Sequence, residues 1–307
     1  MTAAHRFHFA DRLIQQLRSL GHPLCVGLDP HLDRIPELFR RGTMQADDPE
    51  TAASVEEFLG AVVDRLEGRV AVVKPQIAFF EQLGWRGLRL LERLTARCRE
   101  RGLLVLLDAK RGDIGSTAEA YAQAYLEPGS AAAADAMTVN PYAGLDGLEP
   151  FAARARRFGR GVFVLVRTSN PGAGDVQDLA VEGTRLFERV ARSLSPWAAE
   201  LTGPETGWSS LGVVVGATAA EQAEAVRREL ENALFLVPGY GAQGASAADA
   251  VRGFTQGPAG LEGGIVSSSR GVLFAPDADT GDRGVWEKAV DAAVDQAAAE
   301  LGEAIAR

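Results

Sequence analysis

Eight short apolar runs, separated by longer amphipathic segments, are the feature that most limits how this chain can fold. Each run is rich in Val and Leu with little polar alternation, which is typical of strands buried on both faces of a parallel sheet. Interleaved strands and helices predict an α/β fold, a single (β/α)8 TIM barrel over residues 1–307 with an N-terminal and a C-terminal helix. The runs occupy residues 23–29, 70–75, 103–110, 136–141, 161–167, 211–218, 234–239 and 263–269.

An open doubly wound sheet is the alternative architecture. The GxGxxG pattern of dinucleotide-binding sheets does not follow the first apolar run, so the barrel is favoured. Capping boxes predict the first turns of three helices, at the pairs Ser54/Glu57, Ser116/Glu119 and Thr218/Glu221. Stretches rich in Gly, Pro, Asp and Thr predict flexible insertions at 41–53, 202–210 and 275–284.

Composition and charge restrict the partners of the chain. With 46% hydrophobic residues among 307, the chain can bury a full core, and its net charge of −9 without a basic run disfavours nucleic acid or an anionic membrane. A small anion can still bind where positive charge gathers in a pocket. The chain lacks a secretory signal and a membrane-spanning run, and Cys25 and Cys98 are expected to be buried thiols, so we expect a cytoplasmic protein.

Lysine is scarce, which makes each lysine informative. The chain has 29 arginines and 3 lysines among its 32 basic residues, and the lysines are Lys74, Lys110 and Lys288. An ammonium group can give up a proton near neutral pH, whereas a guanidinium cannot. Lys74 and Lys110 end apolar runs, where barrel enzymes carry catalytic groups, while Lys288 falls on a charged C-terminal helix. We therefore expect Lys74 and Lys110 to be functional.

The segment DAKRGDIGST, residues 108–117, contains the densest group of charges at a strand end. Side chains alternate along a strand, so Asp108 and Lys110 should point together into the barrel mouth, with Asp113 shortly after them. Opposite charges placed this closely keep each other ionised. An ordinary surface salt-bridge cluster is the alternative, but the preceding five apolar residues and the rare lysine favour a catalytic site.

The ends of the seventh and eighth runs predict a phosphate site. SSSRG ends the eighth run at Arg270, where many barrels bind phosphate through backbone N–H groups and a helix N-terminus. Arginine can hold a phosphate through two parallel hydrogen bonds. The preceding loop, PGYGAQGAS, is rich in glycine, which allows close backbone approach, and offers Gln243 as a further donor.

A metal centre is not expected. A hard-cation site made from Asp29, Asp108 and Asp113 is conceivable, but the two lysines already neutralise the charge that a metal would. No histidine ends a predicted strand, so a Ser-His-Asp arrangement is not indicated either. The four histidines lie near the N-terminus without metal-binding spacing: His5, His8, His22 and His31.

Several segments together resemble the longer bacterial form of orotidine 5′-phosphate decarboxylase. The motif DxKxxD alone is shared with related sugar-phosphate barrels, but its combination with a lysine on the second strand and RTSNPG on the fifth is specific. The resemblance covers most of the chain, up to Arg270. The segments are LCVGLDP from 24, VKPQ around 74, DAKRGDIGST from 108, MTVNPYAG from 137, RTSNPG from 167, VPGYGAQG from 237 and the terminal SSSRG.

The resemblance implies a reaction and a catalytic set. It implies a carboxy-lyase that converts orotidine 5′-monophosphate to UMP and CO2, the last step of pyrimidine nucleotide synthesis, without metal or cofactor. The implied charged network consists of Lys74, Asp108, Lys110 and Asp113. Lys110, as an ammonium, would stabilise the carbanion left at C6 and then protonate it.

The resemblance also implies the substrate contacts and a partner. Asp29 would hold the ribose hydroxyls, and Ser169 would read the pyrimidine edge. Gln243 and Arg270 would bind the phosphate, although SSS replaces the glycine-rich segment of shorter family members and leaves the other donors open. Residues 113–117, which include Thr117, would reach the active site of a partner subunit, so a homodimer with shared sites is expected.

Two other functions fit the same fold. The first is a metal-dependent β-keto sugar-phosphate decarboxylase or an aldolase-type synthase, which needs a divalent ion to stabilise an enediolate. The second is a barrel that binds a nucleotide without catalysis. A pure binder has no need to crowd carboxylates near an anionic ligand, and this argues against the second function.

Overall fold

The structure is a computed structural model that describes residues 7–241, 244–276, 278 and 281–307. Eight parallel strands close into a barrel, with the first strand paired to both the second and the eighth. The predicted (β/α)8 fold is confirmed, and the open-sheet alternative is wrong. The barrel strands are β1 (Leu24–Leu28), β2 (Val72–Pro75), β3 (Leu104–Arg111), β4 (Ala136–Val139), β5 (Gly161–Arg167), β6 (Ser209–Val215), β7 (Ala233–Val237) and β8 (Gly264–Ser268).

Helices surround the barrel, and two short hairpins lie outside it. The hairpins pair Ala180–Val181 with Thr184–Arg185, and Thr255–Gly257 with Gly260–Glu262. The helices are α1 (Phe9–Leu20), α2 (Pro49–Leu66), α3 (Ala78–Glu81), α4 (Gly84–Glu100), α5 (Gly115–Leu126), α6 (Leu145–Phe158), α7 (Leu186–Glu200), α8 (Ala220–Glu229), α9 (Ala247–Ala250), α10 (Arg270–Leu273) and α11 (Arg283–Ile305).

The core has an inner part, inside the barrel, and an outer part between strands and helices. Helix α1 covers the N-terminal end of the barrel, where the Phe9 and Phe163 rings meet edge to face with centroids 5.9 Å apart. Cys25 belongs to the inner part and Cys98 to the outer part, and both are buried free thiols, as predicted. No helix among the described residues has the length and apolarity needed to cross a membrane.

The predicted helix starts are wrong at all three capping boxes. Helix α2 begins five residues before Ser54, because Asp48 caps it through its side chain and Pro49 follows at the first position. Ser54 is buried inside the helix and donates to the Glu50 carbonyl. Helix α5 starts at Gly115 without a side-chain cap, and α8 starts at Ala220 after a 3-10 turn.

The predicted insertions also have the wrong bounds. Residues 49–53 belong to α2, and 283–284 belong to α11. The 202–210 segment is anchored rather than free. Thr206 donates to Asp11 from both its backbone nitrogen and its hydroxyl, Trp208 is buried, and the segment ends inside β6.

Candidate active site

The Asp108 carboxylate is the centre of a buried hydrogen-bonded cluster at the C-terminal ends of β2, β3 and β4. Its Oδ2 accepts from Lys74 Nζ and from Gln76 Nε2, both at 3.0 Å. Its Oδ1 accepts from Lys110 Nζ at 2.6 Å and from Thr138 Oγ1 at 2.8 Å. Four donors from three strand ends therefore fix one carboxylate and, through it, two ammonium groups.

The charges in this cluster shift each other's proton affinity. Burial alone would lower the pKa of Lys74, but the Asp108 and Asp29 carboxylates outweigh it and raise that pKa above its usual range. Burial alone would raise the pKa of Asp108, but the two ammonium groups hold it well below its usual range. Asp108 is therefore an anion and Lys74 a cation throughout the neutral range.

The two lysines differ in access to the barrel mouth. The Lys74 side chain is only 6% exposed, whereas that of Lys110 is 43% exposed. Lys110 also has a left-handed backbone, with φ of 47°, which is unusual for a residue that carries a Cβ atom. Lys74 is placed to fix Asp108, and Lys110 is placed to reach a ligand.

The predicted binding residues lie around the same rim. Asp29 follows β1, the neighbour of β2, and its Oδ1 is buried without a hydrogen-bond partner among the described residues. Ser169 follows β5, and its carbonyl accepts from Thr218 Oγ1 at 3.1 Å. Arg270 opens α10 directly after β8, is exposed, and is separated from Lys74 only by β1. Gln243 lies outside the described residues.

Asp113 and Thr117 are not brought into the cluster within this chain. Asp113 Oδ1 accepts from the Ile114 backbone nitrogen at 2.8 Å, and across the described ranges Asp113 forms no ion pair. Thr117 is exposed in the first turn of α5. The acid, ammonium, acid array predicted from the sequence is therefore incomplete in a single chain.

Comparisons with known proteins agree on a family. The model of the orotidine 5′-phosphate decarboxylase / HUMPS family matches residues 22–281. The chain belongs to this family. Both the resemblance seen in the sequence and the expected enzyme class, a carboxy-lyase, are confirmed.

Individual relatives cover nearly the whole chain. A Rhodopirellula baltica protein named orotidine 5′-phosphate decarboxylase is 40% identical over 296 residues, or 94% of this chain and 97% of the relative. A Nocardioides protein of the same name is 42% identical, and the match spans 88% of this chain and 93% of the relative. The solved structure of Leishmania donovani OMP decarboxylase is 30% identical, with a TM-score of 0.75 over 97% of this chain and 98% of that one.

Sequence reasoning missed two residues of the site in this family member. Gln76 lies two positions after Lys74, so strand alternation already placed it on the same side. Thr138 is the polar residue inside the apolar run AMTVNP, and a hydroxyl in a buried strand needs a partner. Both signals are present in the sequence, but Gln76 lies just beyond an apolar run and Thr138 lies within one, so neither is the polar residue at the end of a run.

Proposed function

We propose that this chain converts orotidine 5′-monophosphate to UMP and CO2 without a metal or a cofactor, with Lys110 as the proton donor to C6. The observation that carries the proposal is the buried Asp108 carboxylate, which holds the Lys74 and Lys110 ammonium groups at neighbouring strand ends. Membership in the decarboxylase family supports the same reaction.

The chemistry requires a cation and a proton at one place. When the bond between C6 and the carboxylate breaks, CO2 leaves and the electron pair stays on C6, which has no conjugated acceptor. The Lys110 ammonium stabilises this charge, transfers one proton to C6, and recovers a proton from solvent. Asp108 orients the ammonium through the 2.6 Å hydrogen bond, and its negative charge raises the free energy of the bound substrate, whose carboxylate lies beside it. Two ammonium groups supply the positive charge that a divalent ion supplies in related reactions.

The rim residues supply the binding groups in this proposal. Asp29 holds the ribose hydroxyls. Its buried Oδ1 has no hydrogen-bond partner in the part of the chain that the structure describes, and this supports the role because a ligand hydroxyl would satisfy it. Ser169 reads the pyrimidine edge, while Arg270 and Gln243 hold the phosphate. Binding energy from the distant phosphate then helps to order the reacting groups.

A homodimer with shared active sites is the second part of the proposal. Asp113 has no charged partner among the described residues of its own chain, and its carbonyl lies close to Gly147 in the first turn of α6. The segments after β3 and β4 carry exposed apolar side chains. These are Ile114, Tyr142 and Leu145, exposed by 60%, 90% and 42%. Such a surface is typical of a contact with another protein, and a second copy would bring Asp113 and Thr117 to the partner's Lys110.

The buried thiols support a cytoplasmic enzyme.

Mixing two inactive variants tests the shared site. Lys110→Ala and Asp113→Ala are each expected to be inactive alone. After the two are unfolded and refolded together, half of the dimers are mixed, and each mixed dimer has one intact site. We therefore expect about a quarter of wild-type activity to return. If the mixture stays as inactive as its components while the dimers have exchanged, Asp113 does not act across the interface.

A decarboxylation assay with and without chelator tests the reaction itself. Loss of orotidine 5′-monophosphate is followed by absorbance, and the rate in EDTA is expected to equal the rate without it. A rate that collapses in EDTA and returns with a divalent ion would indicate the metal-dependent alternative. Binding of UMP without any loss of orotidine 5′-monophosphate would instead indicate a nucleotide-binding barrel.

A further inference from the structure

Thr138 has one hydroxyl that contacts both members of the proposed catalytic pair. The residue is fully buried in β4, and its Oγ1 donates to Asp108 Oδ1 at 2.8 Å. The same oxygen accepts from the Lys110 backbone nitrogen at 2.9 Å. A carboxylate can only accept and a backbone N–H can only donate, so the direction of both hydrogen bonds is fixed.

The strand around Lys110 is distorted at this point. Leu107 pairs with Met137, and Arg111 pairs with Val139, so residues 108–110 of β3 lie opposite the single residue Thr138 of β4. This is a bulge, and bulges redirect side chains near active sites. The left-handed backbone of Lys110 lies in this bulge and is conformationally unfavourable, so it persists only where surrounding contacts maintain it.

Backbone hydrogen bonds hold the bulge at both ends, and at its start the Ile77 backbone nitrogen donates to the Asp108 carbonyl at 3.2 Å. The Lys110 backbone nitrogen donates to Thr138, and the Asn140 backbone nitrogen donates to the Arg111 carbonyl at 2.7 Å. On the carboxylate, Lys74 and Gln76 fix Oδ2, but among the described residues only Thr138 and Lys110 itself fix Oδ1. Without the Thr138 hydroxyl, Asp108 Oδ1 would be positioned by the same Lys110 ammonium that it has to orient.

We propose that Thr138 is a positioning residue for the decarboxylation, and this inference rests on the proposed function. Thr138 aims the Lys110 ammonium at the reacting carbon in two ways. It holds the Lys110 backbone in its left-handed conformation, and it fixes the carboxylate oxygen to which the ammonium donates. Thr138 itself touches neither the substrate nor the proton that is transferred.

The test compares Thr138→Val with Thr138→Ser. Valine keeps the shape and removes both hydrogen bonds, so kcat is expected to fall between about tenfold and a hundredfold, the rate equivalent of losing one hydrogen bond to a charged group. KM and the Kd for UMP should stay within about twofold, because no binding group is touched. Serine keeps the hydroxyl, and its kcat should stay within about threefold of wild type.

Thr51→Val is the matched control. Thr51 is also fully buried, and its hydroxyl has no hydrogen-bond partner in the part of the chain that the structure describes. The same substitution in α2 should therefore leave kcat unchanged. Thermal melts of all variants show whether each is folded, and Thr138→Ala against Thr138→Ser provides the same comparison if the valine variant is unstable.

Three results would overturn the inference: a kcat for Thr138→Val near wild type, a loss confined to KM, or a serine variant as slow as the valine variant. Lys110→Ala, measured in parallel, separates this inference from the proposed function. If Lys110→Ala is inactive while Thr138→Val is normal, only the role of Thr138 fails. If Lys110→Ala retains activity, the proposed mechanism fails first.

Discussion

Lys110→Ala is expected to lower kcat by at least about a thousandfold, because the variant loses both the cation beside C6 and the proton donor. The Kd for UMP should change little, since the proposed phosphate, ribose and pyrimidine contacts come from other strands. Single-turnover loss of orotidine 5′-monophosphate, together with calorimetric titration of UMP, measures the two effects separately.

Lys288→Ala is the control for this variant. Lys288 is exposed on α11, which follows the last barrel strand, and it does not end a strand. Its loss should therefore leave kcat unchanged. Lys110→Arg adds a second comparison, because it keeps a positive charge but not a group that readily gives up a proton. A Lys110→Ala variant with kcat within tenfold of wild type would remove Lys110 as the proton donor.

Arg227→Ala is expected to lower the free energy of unfolding by about 4 kcal/mol and Tm by about 10 °C. The Arg227 guanidinium is buried in α8 and stacks on the Phe235 ring, 3.9 Å from its centroid. Desolvation lowers the pKa of Arg227 to about 9, so the group remains a cation at neutral pH. Its hydrogen bonds join α8 to the segments that lead into β7 and β8, through the carbonyls of Leu230, Glu231, Ala233, Gly253 and Gly263.

The neighbouring residue provides the control. Arg228 is exposed on the same helix, and Arg228→Ala should change the free energy of unfolding by less than about 0.5 kcal/mol. Urea denaturation followed by circular dichroism measures both variants. Equal midpoints for Arg227→Ala and Arg228→Ala would show that the five carbonyl contacts contribute no net stability.

The barrel was predictable because its signal is local. Each strand is a short apolar run that is readable without knowledge of its partners, and all eight runs overlap a strand of the structure. The contact among Lys74, Asp108 and Lys110 followed from the same pattern, since strand ends of a parallel barrel meet at one rim. The helix starts were less predictable, because Ser54 has the sequence of a cap but is surrounded by helix on both sides.

The remaining parts of the site depend on information that is not local. The bulge opposite Thr138 is a matter of register between β3 and β4, and no residue of either strand alone specifies it. In the proposed dimer, the role of Asp113 depends on a surface that a single chain leaves exposed. The sequence brought Lys74, Asp108 and Lys110 to one rim, but it did not specify which backbone distortion orients them.

The position of α1 limits the path by which substrate enters and products leave the barrel. Within the described residues, α1 and the inner core fill the barrel beneath the Asp108 layer, so nothing can pass along the barrel axis from that end. In the proposed reaction, the nucleotide, carbon dioxide and the replacement proton must therefore all pass through the C-terminal mouth of the barrel. Gas escape and proton resupply would therefore depend on how far the loops above the bound nucleotide have opened, which ties turnover to product departure.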